Sequence, residues 1–136
     1  MEQQLLIVME EEYNALKQLL NLLELQFSFI LKRDIFSLDK VVEDIKLCNK
    51  SIAEAEVNRR RLTKGKAMRE ILKDLGSSEL KSVFKSIENL LEGIRLQKET
   101  NELIIKQNLT FTNKMLSYLN PNRNVVTYDS YGKSKR

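Results

Sequence analysis

The chain contains no histidine and no tryptophan, and only one cysteine, one proline and four glycines in 136 residues. Without histidine there can be no Ser-His-Asp triad, no imidazole-liganded zinc and no histidine acid-base relay. A lone Cys48 rules out an intramolecular disulfide framework and suits a reducing compartment. The scarcity of proline and glycine removes the punctuation of sheets and linkers. With 42% hydrophobic and 31% charged residues, the composition points to a single helical domain. Long apolar runs are missing too. The longest, 19–31, is interrupted by Glu24 and falls short of the ~17 residues needed to span a bilayer. The first residues, with Glu2 and Glu10 to Glu12, lack the basic region of a signal peptide. These absences predict a cytoplasmic protein with no stable membrane insertion. Lys and Arg (23) exceed Asp and Glu (19) by four, too small an excess to name a partner.

What is present is helical periodicity. Leu5, Val8, Met9, Tyr13, Leu16, Leu19, Leu20, Leu23, Phe27 and Ile30 recur at three- and four-residue steps and predict a first helix from near residue 3 to near Lys32. Asp34 and Ser37 are both suitable N-caps for the helix that follows the turn "RDIFSLDK". The second helix carries a narrower seam, Leu38, Val41, Ile45, Cys48, Ile52, Ala55, Arg59 and Leu62, in which Arg59 is the interruption. A break near Gly65 and a short helix in "KAMREILKDLG", closed by Gly76, come next, with Ser77 or Ser78 capping the following start.

A third long helix is predicted from about Glu79 to about Leu119, and Pro121 ends it. Its face is built from three columns of period seven. One holds Leu80, Ile87, Ile94, Asn101, Asn108 and Met115. The second holds Phe84, Leu91, Lys98, Ile105, Thr112 and Leu119, and the third Val83, Leu90, Gln97, Ile104, Phe111 and Tyr118. So broad a face needs more than one neighbour. The expected fold is all-α: a long three-helix antiparallel bundle with a short helix between helices two and three. The bundle domain occupies 1–119 and a C-terminal tail 120–136. Helix three outlasts helix one, so Phe111, Met115 and Leu119 lack an internal partner.

Catalytic chemistry finds no purchase in this pattern. Cys48 lies on an apolar seam, where a buried thiol acts as a small hydrophobe. The acidic cluster Glu10 to Glu12 and the pair Glu54 and Glu56 read as solvated helix faces, and no phosphate-cradling loop is present. Nothing calls for a cofactor or a metal, and the chain does not read as an enzyme. Between Asn58 and Lys73 seven cations face one acid, Glu70, but no aromatic is available for base stacking. The run reads first as a solvated bundle end, then as a docking patch for an acidic protein, and last as a nucleic-acid site. Asn101 and Asn108 in a seam column fit register control. The alternative is a part-filled groove whose amides meet an incoming helix, and the period alone favours register control.

The segment "ETNELIIKQNLTFTNKMLSYLNPNRNVVTYDSYGK", with its spaced asparagines and its small "TYDSYGK" element, resembles the C-terminal half of the FlgN-type flagellar export chaperones. The early "EEEYNALKQLLNLLE" helix and the three-helix layout are similar to that family as well. The resemblance implies a cytoplasmic chaperone that binds the C-terminal helical segments of the hook-filament junction proteins FlgK and FlgL. It would keep them from premature assembly and deliver them to the export gate protein FlhA. On this reading the cargo groove comprises Asn101, Ile104, Ile105, Asn108, Phe111 and Met115. Tyr128 docks to the gate, with Tyr131 as the alternative because Asp129 and Ser130 intervene before the "YG" pair. The chain is then a monomer with cargo and pairs weakly with itself when free. Folding of Val125, Val126 and Tyr128 back onto the bundle is the structural alternative for the tail. A generic coiled-coil adaptor or self-assembling helical protein, and a nucleic-acid accessory protein using the basic run, are the competing classes.

Overall fold

A computed structural model describes residues 2–75 and 77–107 together with the dipeptides 127–128 and 134–135. Four helices follow one another: α1 (Glu2–Lys32), α2 (Ile35–Thr63), α3 (Met68–Leu75) and α4 (Ser78–Gln107). Outside them, β1 (Thr127–Tyr128) pairs antiparallel with β2 (Ser134–Lys135), Thr127 opposite Lys135 and Tyr128 opposite Ser134. The expected continuation of the last helix to Leu119, the Gly76 cap and the domain boundary at 119/120 lie outside the described residues.

The chain reverses between α1 and α2 in two residues. Arg33 takes the left-handed conformation (φ 55°) and donates its N–H to Ile30 O, while Asp34 N–H reaches back to Phe29 O, which satisfies the last carbonyls of α1. Asp34 then caps α2. Its carboxylate accepts the Ser37 N–H at 3.1 Å and the Ser37 hydroxyl at 2.6 Å, bonds that hold its pKa below the ordinary carboxylate value. Of the two candidate caps Asp34 is the one used, and Ser37 lies inside α2 as the residue it holds. The same device ends α2: Lys64 (φ 53°) and Gly65 (φ 81°) turn the chain, and Gly65 N–H bonds to Arg60 O. Ser77 opens α4, its hydroxyl accepting Leu80 N–H at 3.4 Å.

α1 is the central element. It packs along α2 on one side and along α4 on the other, whereas α2 and α4 make no comparable contact among the described residues. Cys48 Sγ donates to Ala15 O and Arg59 reaches Glu12, so α2 runs back along α1. Asn101 meets Leu23 and Gln26, and a Cβ at Gly93 would lie 3.7 Å from Leu20, so α4 runs in the same direction as α1. The core combines Leu5, Met9, Leu16, Leu19, Leu23 and Ile30 of α1 with Leu38, Val41, Ile45 and Cys48 of α2. Leu80, Ile87, Ile94 and Ile105 of α4 complete it, and Met68, Ile71 and Leu72 of α3 close one end.

One expectation is corrected. Glu12 is not on a solvated face with Glu10 and Glu11. It is buried in α1 against Arg59, and it occupies the step between Met9 and Leu16 on the apolar stripe.

Candidate helix-docking surface

The three columns of α4 divide by depth. Leu80, Ile87, Ile94 and Asn101 are all buried and form the line on which α4 meets α1. Val83, Leu90, Gln97 and Ile104 are half-buried along one flank. On the other flank Phe84 is half-buried and Leu91 and Lys98 are exposed, before Ile105 returns to the core.

Asn101 is held on all sides. Its Nδ2 donates to Leu23 O at 3.0 Å and to Gln26 Oε1 at 3.1 Å, and its Oδ1 accepts from Gln97 Nε2 at 2.9 Å. In this arrangement Asn101 and Ile105 are core residues, and the geometry favours register control for that asparagine. Ile104 lies half-buried against the core. Asn108, Phe111, Met115 and Tyr131 lie outside the described residues, and Tyr128 is placed only as a member of β1.

Because α2 and α4 are both laid on α1 but hardly touch each other, a cleft opens between them. It has a volume of about 420 Å³. Met9, Leu16, Ile52, Phe84, Ile87 and Leu91 supply its apolar walls and floor, and Met68 with Arg69 of α3 closes one end. Glu12 and Arg59 also line it, with Arg59 Nε 3.4 Å from Glu12 Oε2. This pair explains the arginine in the seam of α2: it neutralises the one acid on the buried stripe of α1. Periodicity hides such a pair because its members are far apart in the chain. The available signal is that a cation in one apolar seam calls for an anion in another.

The basic run resolves into two groups. Arg59 is paired with Glu12, Arg60 with Glu56 at 2.5 Å, and Arg69 with Glu88 at 3.6 Å across the α3–α4 junction. Arg61, Lys64, Lys66 and Lys73 form no ion pair among the described residues and make the α2–α3 corner electropositive. Cys48 is buried, and loss of hydration raises its thiol pKa, which leaves it protonated and inert as the apolar seam predicts. Among the described residues no helix is long and apolar enough to cross a membrane.

Comparison with known proteins adds one match: the family model described as FlgN protein matches residues 1–136, the whole chain. No curated protein and no solved structure matches.

Proposed function

From the premise that this chain belongs to the FlgN family, a family of flagellar export chaperones, we propose that it binds the C-terminal helical segments of the junction proteins FlgK and FlgL and hands them to the export gate protein FlhA. The observation that carries this reading is the match of the FlgN family model along the full length of the chain. The fold is compatible with the role: α4 is buried along Leu80, Ile87, Ile94 and Asn101 and at Ile105, which leaves apolar side chains such as Leu91 at its flank for a partner.

The proposed cargo surface is the C-terminal part of the last long helix, with Ile104, Asn108, Phe111 and Met115 as contacts. Asn101 and Ile105 belong to it as the residues that fix α4 on α1 beneath it. Tyr128 is the proposed gate-docking residue and Tyr131 the alternative. No cofactor takes part. Binding an extended or disordered segment as a helix costs several kcal/mol in ordering, so release at the gate needs no nucleotide-driven step in the chaperone.

The test is titration of a FlgK C-terminal segment into the full chain, with light scattering to give the stoichiometry. Phe111→Asp is expected to abolish binding with the helical circular dichroism unchanged, as expected for a charge placed on a central anchor. A chain that forms stable dimers and ignores the FlgK and FlgL segments would instead be the self-assembling helical protein.

A further inference from the structure

We propose that the α2–α4 cleft is the inner half of the cargo seat, and that the cargo helix enters it with its C-terminal end toward α3. This rests on the chaperone reading above and adds to it a site and a polarity. The cleft is floored by α1, walled by Ile52 on one side and Phe84 and Leu91 on the other, and closed by Met68 and Arg69. Leu91 is 50% exposed, although it continues the column of Phe84 and faces this apolar space. A single amphipathic helix laid over α1 between α2 and α4 fills the cleft with side chains at i, i+3 or i+4, and i+7, and makes the fourth member of a bundle.

Charge sets the occupant and its direction. The ionic groups that line the cleft are already matched, Glu12 by Arg59, Glu56 by Arg60 and Glu88 by Arg69, so an apolar stripe is what its floor accepts. Its closed end is different. Met68 and Arg69 line it, and their chain neighbours Lys64, Lys66 and Lys73 form no ion pair among the described residues, against Glu70 and Asp74 as the acids of the same stretch. The C-terminus of a helix carries about half a negative charge together with its free carbonyls, and a chain terminus adds a carboxylate. A helix entering C-terminus first therefore meets complementary charge, whereas the reverse polarity sets a positive helix end against the three unpaired lysines. In the favoured direction the helix runs antiparallel to α4. From Phe84 to Gln107 it follows α4 for roughly 35 Å.

The experiment compares two leucines of equal exposure on α4. Leu91 and Leu96 are each 50% exposed, but only Leu91 lines the cleft. A FlgK C-terminal segment is titrated into the full chain as wild type, Leu91→Glu, Leu91→Gln, Leu96→Glu and the double charge reversal Lys64→Glu/Lys66→Glu. Melting curves confirm that each is folded. We expect Leu91→Glu to weaken binding at least tenfold, Leu91→Gln several-fold and Leu96→Glu less than twofold. The lysine reversal should weaken binding several-fold at low salt and much less at high salt. Equal effects of the two glutamate substitutions, or none from either, overturn the cleft as a seat while leaving the chaperone reading intact. Tighter binding by Leu91→Glu overturns it in favour of the chain's own C-terminal segment as occupant. Dissociation of a wild-type dimer by that variant overturns it in favour of a second copy. A lysine reversal without effect overturns the polarity. A wild-type chain that binds neither the FlgK nor the FlgL segment overturns the chaperone reading itself.

Discussion

Asn101 Nδ2 lies 3.1 Å from Gln26 Oε1, and both side chains are fully buried. The two amides meet toward the C-terminal ends of α1 and α4, on the line where the preceding buried residues of α4, Leu80, Ile87 and Ile94, are aliphatic. A buried amide pair adds little net stability, because its members lose hydration to form it, but it penalises any sliding of α4 along α1.

Asn101→Leu alone is therefore expected to cost about 1–3 kcal/mol, since the substitution takes a donor from Gln26 and from Leu23 O inside the core. The double variant Asn101→Leu with Gln26→Leu should recover most of that loss. Thermal melts of the two singles and the double measure the coupling, and strictly additive losses would show that the amides do not act as a pair.

The Glu12–Arg59 pair gives a second double-variant test. Glu12 is nearly inaccessible and the Arg59 side chain is one-fifth exposed, at 20%. The contact is long at 3.4 Å. Removing Arg59 leaves the carboxylate without its cation, and Arg59→Ala is expected to cost ~2 kcal/mol, between the values for surface and fully buried pairs. Replacing both by leucine should restore stability to near that of the native chain. If Arg59→Ala melts like wild type, the pair is a surface contact in solution.

Much of this architecture is legible in the sequence, for a simple reason. The column Leu80, Ile87, Ile94 marks the buried line of α4 because a period of seven puts these residues on one face, and the line holds in the structure. The ends of α1 and α2 are legible because Asp34, Ser37 and Gly65 do local chemistry that needs only near neighbours. Glu12 is misread as solvated because its burial depends on Arg59, 47 residues away, and spacing within one helix carries no trace of that partner. The cleft is hidden for a related reason. The breadth of the α4 face shows that it needs more than one neighbour, but not that α2 stands back from it.

The α2 cap predicts a pH dependence with a definite sign. Asp34 has its folded pKa lowered by the Ser37 hydroxyl and then the Ser37 N–H. A carboxylate whose folded pKa is depressed contributes stability that is present above its unfolded value, near the ordinary 3.8, and is lost as the pH falls through the lower folded value. The melting temperatures of wild type and Asp34→Ala should therefore differ at neutral pH, with wild type higher. The gap should shrink below about pH 4 as the cap is protonated. A gap that persists unchanged at acid pH would mean that the charged cap contributes nothing.

The last prediction concerns Tyr128, a residue of β1. As a gate-docking side chain it makes its contact only with FlhA, and it contributes little to the folding of the helices. Tyr128→Ala should then leave the affinity for a FlgK segment unchanged and weaken binding to the soluble domain of FlhA by about 2 kcal/mol or more, the usual loss at an aromatic hot spot. If the tail instead rests on the cargo surface, it competes with cargo. Apparent affinity is then reduced by the fraction of the surface left free, and Tyr128→Ala should tighten cargo binding. Titrating the FlgK segment and then the FlhA domain into wild type, Tyr128→Ala and Tyr131→Ala tells these apart. Loss of FlhA binding in Tyr131→Ala alone would move the docking role to the second tyrosine. Wild-type behaviour of both variants in both titrations would remove the tail from the delivery step.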